Sequence, residues 1–117
     1  MGHVWVDVEI SNEARTESKK VRGLIDTGAT LTTLPEPLAK ELKIEVIKED
    51  RIQTAAGLIN IKKGRVFIKI ENKEDLQTIW TSDIIDKVLI GSVTLETLGL
   101  KVNPVTGKVE ETPLILY

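Results

Sequence analysis

Apolar and polar residues alternate with a period of two in VWVDVEI (4–10) and in INIKKGRVFIKIE (59–71), where Val66, Ile68 and Ile70 share one face. That spacing predicts half-buried β-strands. KKVRGLI (19–25) predicts another strand, and the polar SNEARTESK before it predicts a hairpin turn. Pieces rich in β-branched residues predict further strands at 44–49, 76–82 and 87–90. Helical spacing is confined to two short pieces. PEPLAKELKI has prolines and Glu36 at its start and Leu38 and Leu42 four apart. SVTLETLGL offers Ser92 as an N-cap, Val93, Leu95 and Leu98 facing inward, and Gly99 as a stop. NPVTGK (103–108) predicts a last hairpin turn, and TPLILY an apolar terminal strand suited to a subunit interface. The expectation is a single all-β domain over residues 1–117 with one or two short helices.

Composition narrows the function classes. Sixteen basic residues against 18 acidic ones give a net charge of -2, so no basic excess exists to bind nucleic acid. Cysteine is absent, which excludes disulfides and thiolate chemistry and suits a reducing cytoplasm. No run approaches the roughly 18 apolar residues of a membrane span, and the N-terminus has no signal-peptide pattern, so no membrane partner is expected. His3 is the only histidine and lies beside the terminus, so a Ser–His or Cys–His nucleophile is not expected. Asp83 and Asp86 have no histidine or further acid at ligand spacing; they read as turn residues, and no metal or cofactor is expected.

The chemistry concentrates at GLIDTGATLTTLP (23–35), where Asp26 follows an apolar strand and sits among small residues. An aspartate there is costly unless hydrogen bonds or a partner compensate. Gly28 permits unusual backbone angles or the close approach of another group, and Thr27 supplies a hydroxyl. An ordinary Asp-Thr-Gly turn explains the three residues alone, but an apolar run on both sides is unusual for a loop tip. GLIDTGATLTTL and KVLIGSVTLETL also resemble each other, a faint internal repeat that suggests two halves about a pseudo-twofold axis.

LIDTGAT resembles the active-site signature of retropepsin-like aspartic proteases, and VLIG (88–91) is similar to that family's second hallmark. The resemblance runs over roughly residues 4–103 in order of elements. It implies a small closed β-barrel-like fold with a flap hairpin and a homodimeric aspartic endopeptidase without cofactor. Peptide or protein would be the substrate. The single motif implies that the second carboxylate is Asp26 of another copy, with Thr27, Gly28 and Ala29 forming the active-site loop and dimer contact. Ala55, Ala56 and Gly57 would form the flap tip, and Val88 and Ile90 a pocket wall. A catalytically silent dimerisation or peptide-binding module with the same fold, and an unrelated small barrel with an Asp-Thr-Gly turn, remain as alternatives.

Overall fold

Alternation along the strands does produce one buried face. In the computed structural model, which describes residues 3–55 and 57–112, β1 (Trp5–Asn12) turns Val6, Val8 and Ile10 inward. β2 (Ser18–Ile25) follows as its antiparallel hairpin partner. The chain continues through β3 (Thr33–Pro35), α1 (Glu36–Glu41), β4 (Lys48–Thr54) and the 14-residue β5 (Gly57–Ile70). It ends with β6 (Lys73–Ser82), β7 (Val88–Ile90), α2 (Ser92–Thr97), β8 (Leu100–Asn103) and β9 (Lys108–Glu111).

The sheet order is β1-β2-β7-β3-β6-β5-β4, and a further β1–β5 pairing closes the first six strands into a barrel. Closure removes the edges that an open sheet would expose. Val8, Ile10, Leu34, Val66, Ile68, Ile70, Ile79 and Ile90 fill the interior. The half of β5 nearest Gly57 leaves the barrel and pairs with β4 as a long hairpin. β8 and β9 form a separate two-stranded sheet against α2, with Leu100 anchored in the core. Only Thr112 of the terminal TPLILY lies within the described residues, where its N–H bonds Gly99 O at 2.8 Å.

Two interlocked loops organise the barrel. β7 passes between β2 and β3, parallel to the first and antiparallel to the second, so the 26–32 connection must cross its end. β3 in turn passes between β6 and β7, and the 83–87 connection crosses it. The two arrangements exchange β3 with β7 and β2 with β6. The internal repeat is therefore real but shifted: 23–25 and 88–90 are parallel neighbours, not equivalents, and the equivalent units are 33–43 and 89–99.

Matching ends support this alignment. Leu42 closes α1 at φ -82° and ψ -1°, and Leu98 closes α2 at φ -80° and ψ -3°. Leu42 N–H donates to Leu38 O and Lys43 N–H to Lys40 O; Leu98 N–H donates to Thr94 O and Gly99 N–H to Glu96 O. Lys43 and Gly99 then take the same left-handed conformation, at φ 54° and 69°. Glycine adopts it freely and lysine does not.

Several boundaries differ from the sequence reading. The strand expected at 44–49 begins only at Lys48, since Ile44 N–H is engaged in closing α1 on Ala39 O. Ser92 is the first residue of α2 rather than its cap, and Thr94 is buried where Val93 is half-buried. Asn12 is a buried tie: its side-chain amide donates to Leu42 O at 3.0 Å and its Oδ1 accepts Thr16 N–H at 2.9 Å. Replacing Lys43 by glycine should raise stability by up to about 1 kcal/mol, because it relieves the left-handed strain; denaturant unfolding would read this as a higher midpoint at unchanged slope.

Candidate active site

Asp26 is the first residue beyond β2, and its N–H donates to Ile90 O at 2.9 Å, prolonging the parallel pairing by one step. The chain then turns sharply. Ala29 N–H returns to Asp26 O at 3.0 Å, and Gly28 N–H donates to the Asp26 carboxylate Oδ1 at 3.1 Å. A Cβ on Gly28 would lie 3.3 Å from that same oxygen, so glycine serves close approach at the carboxylate. Its backbone does not take a positive φ.

The loop that follows is held by α2. Ser92 N–H donates to Ala29 O at 2.9 Å and Val93 N–H to Thr30 O at 3.1 Å. These are N–H groups of the helix's first turn, which have no partners within the helix. No side chain caps α2; loop carbonyls do that work. Gly91 N–H donates to Thr32 Oγ1 at 3.1 Å, and Thr32 O accepts Trp80 N–H at 3.0 Å. Gly91 also lies hard against this loop, since a Cβ there would sit 2.6 Å from Leu31 C and Thr30 O.

Held in this way, Asp26 and Ala29 are half-buried while Thr27 and Gly28 are exposed. Among the described residues Asp26 has no ion-pair partner. The larger described cavities lie elsewhere; one of about 640 Å³ runs beside Val21, Leu38, Ile85 and Val88 without reaching Asp26. A single chain thus presents its carboxylate on a surface.

Strand register shows what flanks it. Leu24 pairs with Leu89, Leu89 with Thr33, Thr33 with Trp80, and Trp80 with Lys63 at the base of the β4–β5 hairpin. Leu24, Leu89, Thr33 and Trp80 are all half-buried, and none belongs to the core cluster. They form a row across the outer face of the strands, the face Asp26 shares with Leu24 two residues earlier. The expected wall of Val88 and Ile90 is therefore off by one. Both are 3% exposed or less and point into the barrel, Ile90 toward Gly23; strand alternation gives the outer face to Leu89.

The β4–β5 hairpin has the form expected of the flap. Thr54 pairs with Gly57, whose φ of 111° requires glycine, and Thr54 Oγ1 donates to Gly57 O at 2.8 Å. Ala55 is exposed, and Ala56 lies outside the described residues. Leu58, at 64% exposure, is an apolar side chain on this hairpin that the described residues leave largely uncovered. At the base, Lys62 bonds Glu36 at 2.9 Å, which holds the Glu36 carboxyl below and the Lys62 ammonium above their ordinary ranges. No described hydrogen bond joins the hairpin tip to the Asp26 loop.

Asp83 and Asp86 are exposed, and Asp86 pairs with Lys87 at 2.9 Å, which holds its carboxyl below the usual range. The described residues contain no group of three or more His, Cys, Asp or Glu able to hold a metal. The pseudo-twofold relation pairs Asp26 with Ser82: Ile25 faces Ile90 as Thr81 faces Leu34. Ser82 Oγ accepts Ile84 N–H at 3.2 Å, the same turn that Asp26 makes with Gly28, yet Ser82 is buried and carries no charge.

A family model described as aspartyl protease matches residues 6–91, from β1 through the Asp26 loop and the hairpin to Gly91. The chain belongs to the aspartyl protease family. Among solved structures it is similar to the EIAV protease complexed with the inhibitor HBY-793, at 22% identity and a TM-score of 0.67, over 87% of this chain and 93% of that one. That likeness shows the retropepsin fold. No curated protein matches the chain. As an aspartic-type endopeptidase it is a hydrolase, and no helix among its described residues is long and apolar enough to cross a membrane.

In this aspartyl protease, Gly91→Ala should cost about 1–3 kcal/mol and depress activity, because the added methyl meets backbone rather than a flexible side chain. Thermal unfolding and peptide cleavage of the purified variant check both effects.

Proposed function

We propose that the protein is an aspartic endopeptidase, one domain over residues 1–117, whose active unit is a homodimer with one Asp26 from each subunit. The observation that carries this reading is the rigidly held, surface-facing Asp26, one per chain, with no internal counterpart. Ser82 occupies the equivalent position of the other half, so the second carboxylate comes from a second copy related by a twofold axis. Small residues suit that meeting. Thr27 and Gly28 are exposed at the loop surface, where bulk would keep two loops apart.

Two carboxylates about 3 Å apart cannot both ionise, so the pair shares one proton and titrates as a unit. The ionised carboxylate takes a proton from water as the water oxygen attacks the peptide carbonyl carbon. The protonated one donates to the carbonyl oxygen, giving a tetrahedral diol. Collapse of that intermediate breaks the C–N bond as a proton passes to the leaving nitrogen. The hydrogen bond from Gly28 N–H to Oδ1 orients one carboxylate oxygen and leaves the other to the water.

An extended peptide would lie between this floor and the hairpin end marked by Thr54 and Gly57. Main-chain hydrogen bonds would supply affinity, and the row of Leu24, Leu89, Thr33 and Trp80 apolar contact for its side chains. Asp26→Asn should reduce cleavage of a peptide library by about 10²–10⁴-fold or more while the dimer persists in sedimentation. Unchanged cleavage would defeat the assignment, and a strictly monomeric yet active protein would defeat the shared site.

A further inference from the structure

We propose that Thr94 is a positioning residue for Asp26, acting through Thr32 and the loop between them; the proposal rests on Asp26 being the reacting carboxylate. Thr32 closes the loop and Thr94 lies inside α2, 0% and 1% exposed. Their Oγ1 atoms are 2.6 Å apart. Thr32 Oγ1 also accepts Gly91 N–H at 3.1 Å, so one buried oxygen joins the loop, the entry to α2 and the body of the helix.

The helix does not need this hydroxyl to pack. Thr94 is flanked by the buried Leu95 and Leu98, and valine has the same shape. The other half of the barrel makes the point directly. Under the pseudo-twofold relation Thr94 corresponds to Leu38 and Thr32 to Val88, an apolar pair in which Val88 belongs to the core cluster and Leu38 packs against it. A polar pair appears only in the half whose loop carries Asp26. Apolar contacts tolerate sliding, whereas a hydrogen bond between buried hydroxyls fixes distance and direction. Together with the bonds from Ser92 and Val93 it sets the height of residues 29–32 over the end of β7, and hence the plane of the carboxylate that starts the loop.

The test measures peptide cleavage by the full chain carrying Thr94→Val, Thr94→Ser or, as a control, Asp26→Asn. Misplacement of reacting groups by about 1 Å costs on the order of 10²-fold, so Thr94→Val should lower kcat by about 10- to 100-fold with KM within about twofold of the parent. Thr94→Ser, which keeps the oxygen, should recover most of kcat. If Thr94→Val does not fold, Thr94→Cys takes its place, with a similar volume and a weaker donor. Full kcat in the folded Val or Cys variant, or a serine variant no better than valine, overturns the proposal. A fully active Asp26→Asn overturns the reading of Asp26 and this proposal with it, whereas an inactive Asp26→Asn beside a fully active Thr94→Val overturns only the positioning role.

Discussion

The architecture depends on the way the start of α2 is satisfied. A helix leaves its first N–H groups without internal partners, and here Ser92 and Val93 give theirs to the carbonyls of Ala29 and Thr30. One set of bonds therefore caps a helix and suspends a loop. The arrangement is possible because β7 passes between β2 and β3, which forces the 26–32 segment across its end and onto the helix that begins there. Gly91 is the hinge of this contact, with no room for a single added carbon. The loop that carries Asp26 is held by these backbone hydrogen bonds together with the Thr32 hydroxyl.

The strands were legible because one face is buried and the other is not. Val66, Ile68 and Ile70 alternate in the sequence and fill the core as that alternation demands. Asp26 stands out in the sequence for the opposite reason, as a charged residue among small and apolar neighbours where packing alone would not put one. Less visible were features that depend on parity and long-range register. VLIG marks the right strand, but only the pairing of Leu89 with Leu24 and Thr33 shows which of its residues faces outward. A comparison of letters likewise misaligns the repeat, because Leu, Thr and Gly recur in both GLIDTGATLTTL and KVLIGSVTLETL, while the equivalent helix ends at Leu42 and Leu98 are matched by their φ and ψ values. Asn12 and the Thr32–Thr94 pair join residues 30 and 62 positions apart, a distance across which no local pattern reports.

The comparison of the two halves explains why only one of the two crossing loops begins with a carboxylate. Both crossing loops begin with the same side-chain-to-backbone turn, made by a carboxylate in one and by a hydroxyl in the other. Ser82 is buried beneath its loop, where an ionised group would lose its hydration, whereas Asp26 keeps partial access to solvent. The internal symmetry thus builds the barrel without duplicating the chemistry. In the proposed homodimer an external twofold axis completes the site, and the small residues after Asp26 would fit the approach of a second loop.

Subunit mixing tests that central claim most directly. Wild-type chains are allowed to exchange with inactive Asp26→Asn chains at constant total concentration, and cleavage is followed as the wild-type fraction falls. If each site takes one carboxylate from each subunit, activity follows the square of that fraction, and equal mixing leaves about one quarter of it. A linear fall to about one half would mean that each chain works alone and would contradict the account.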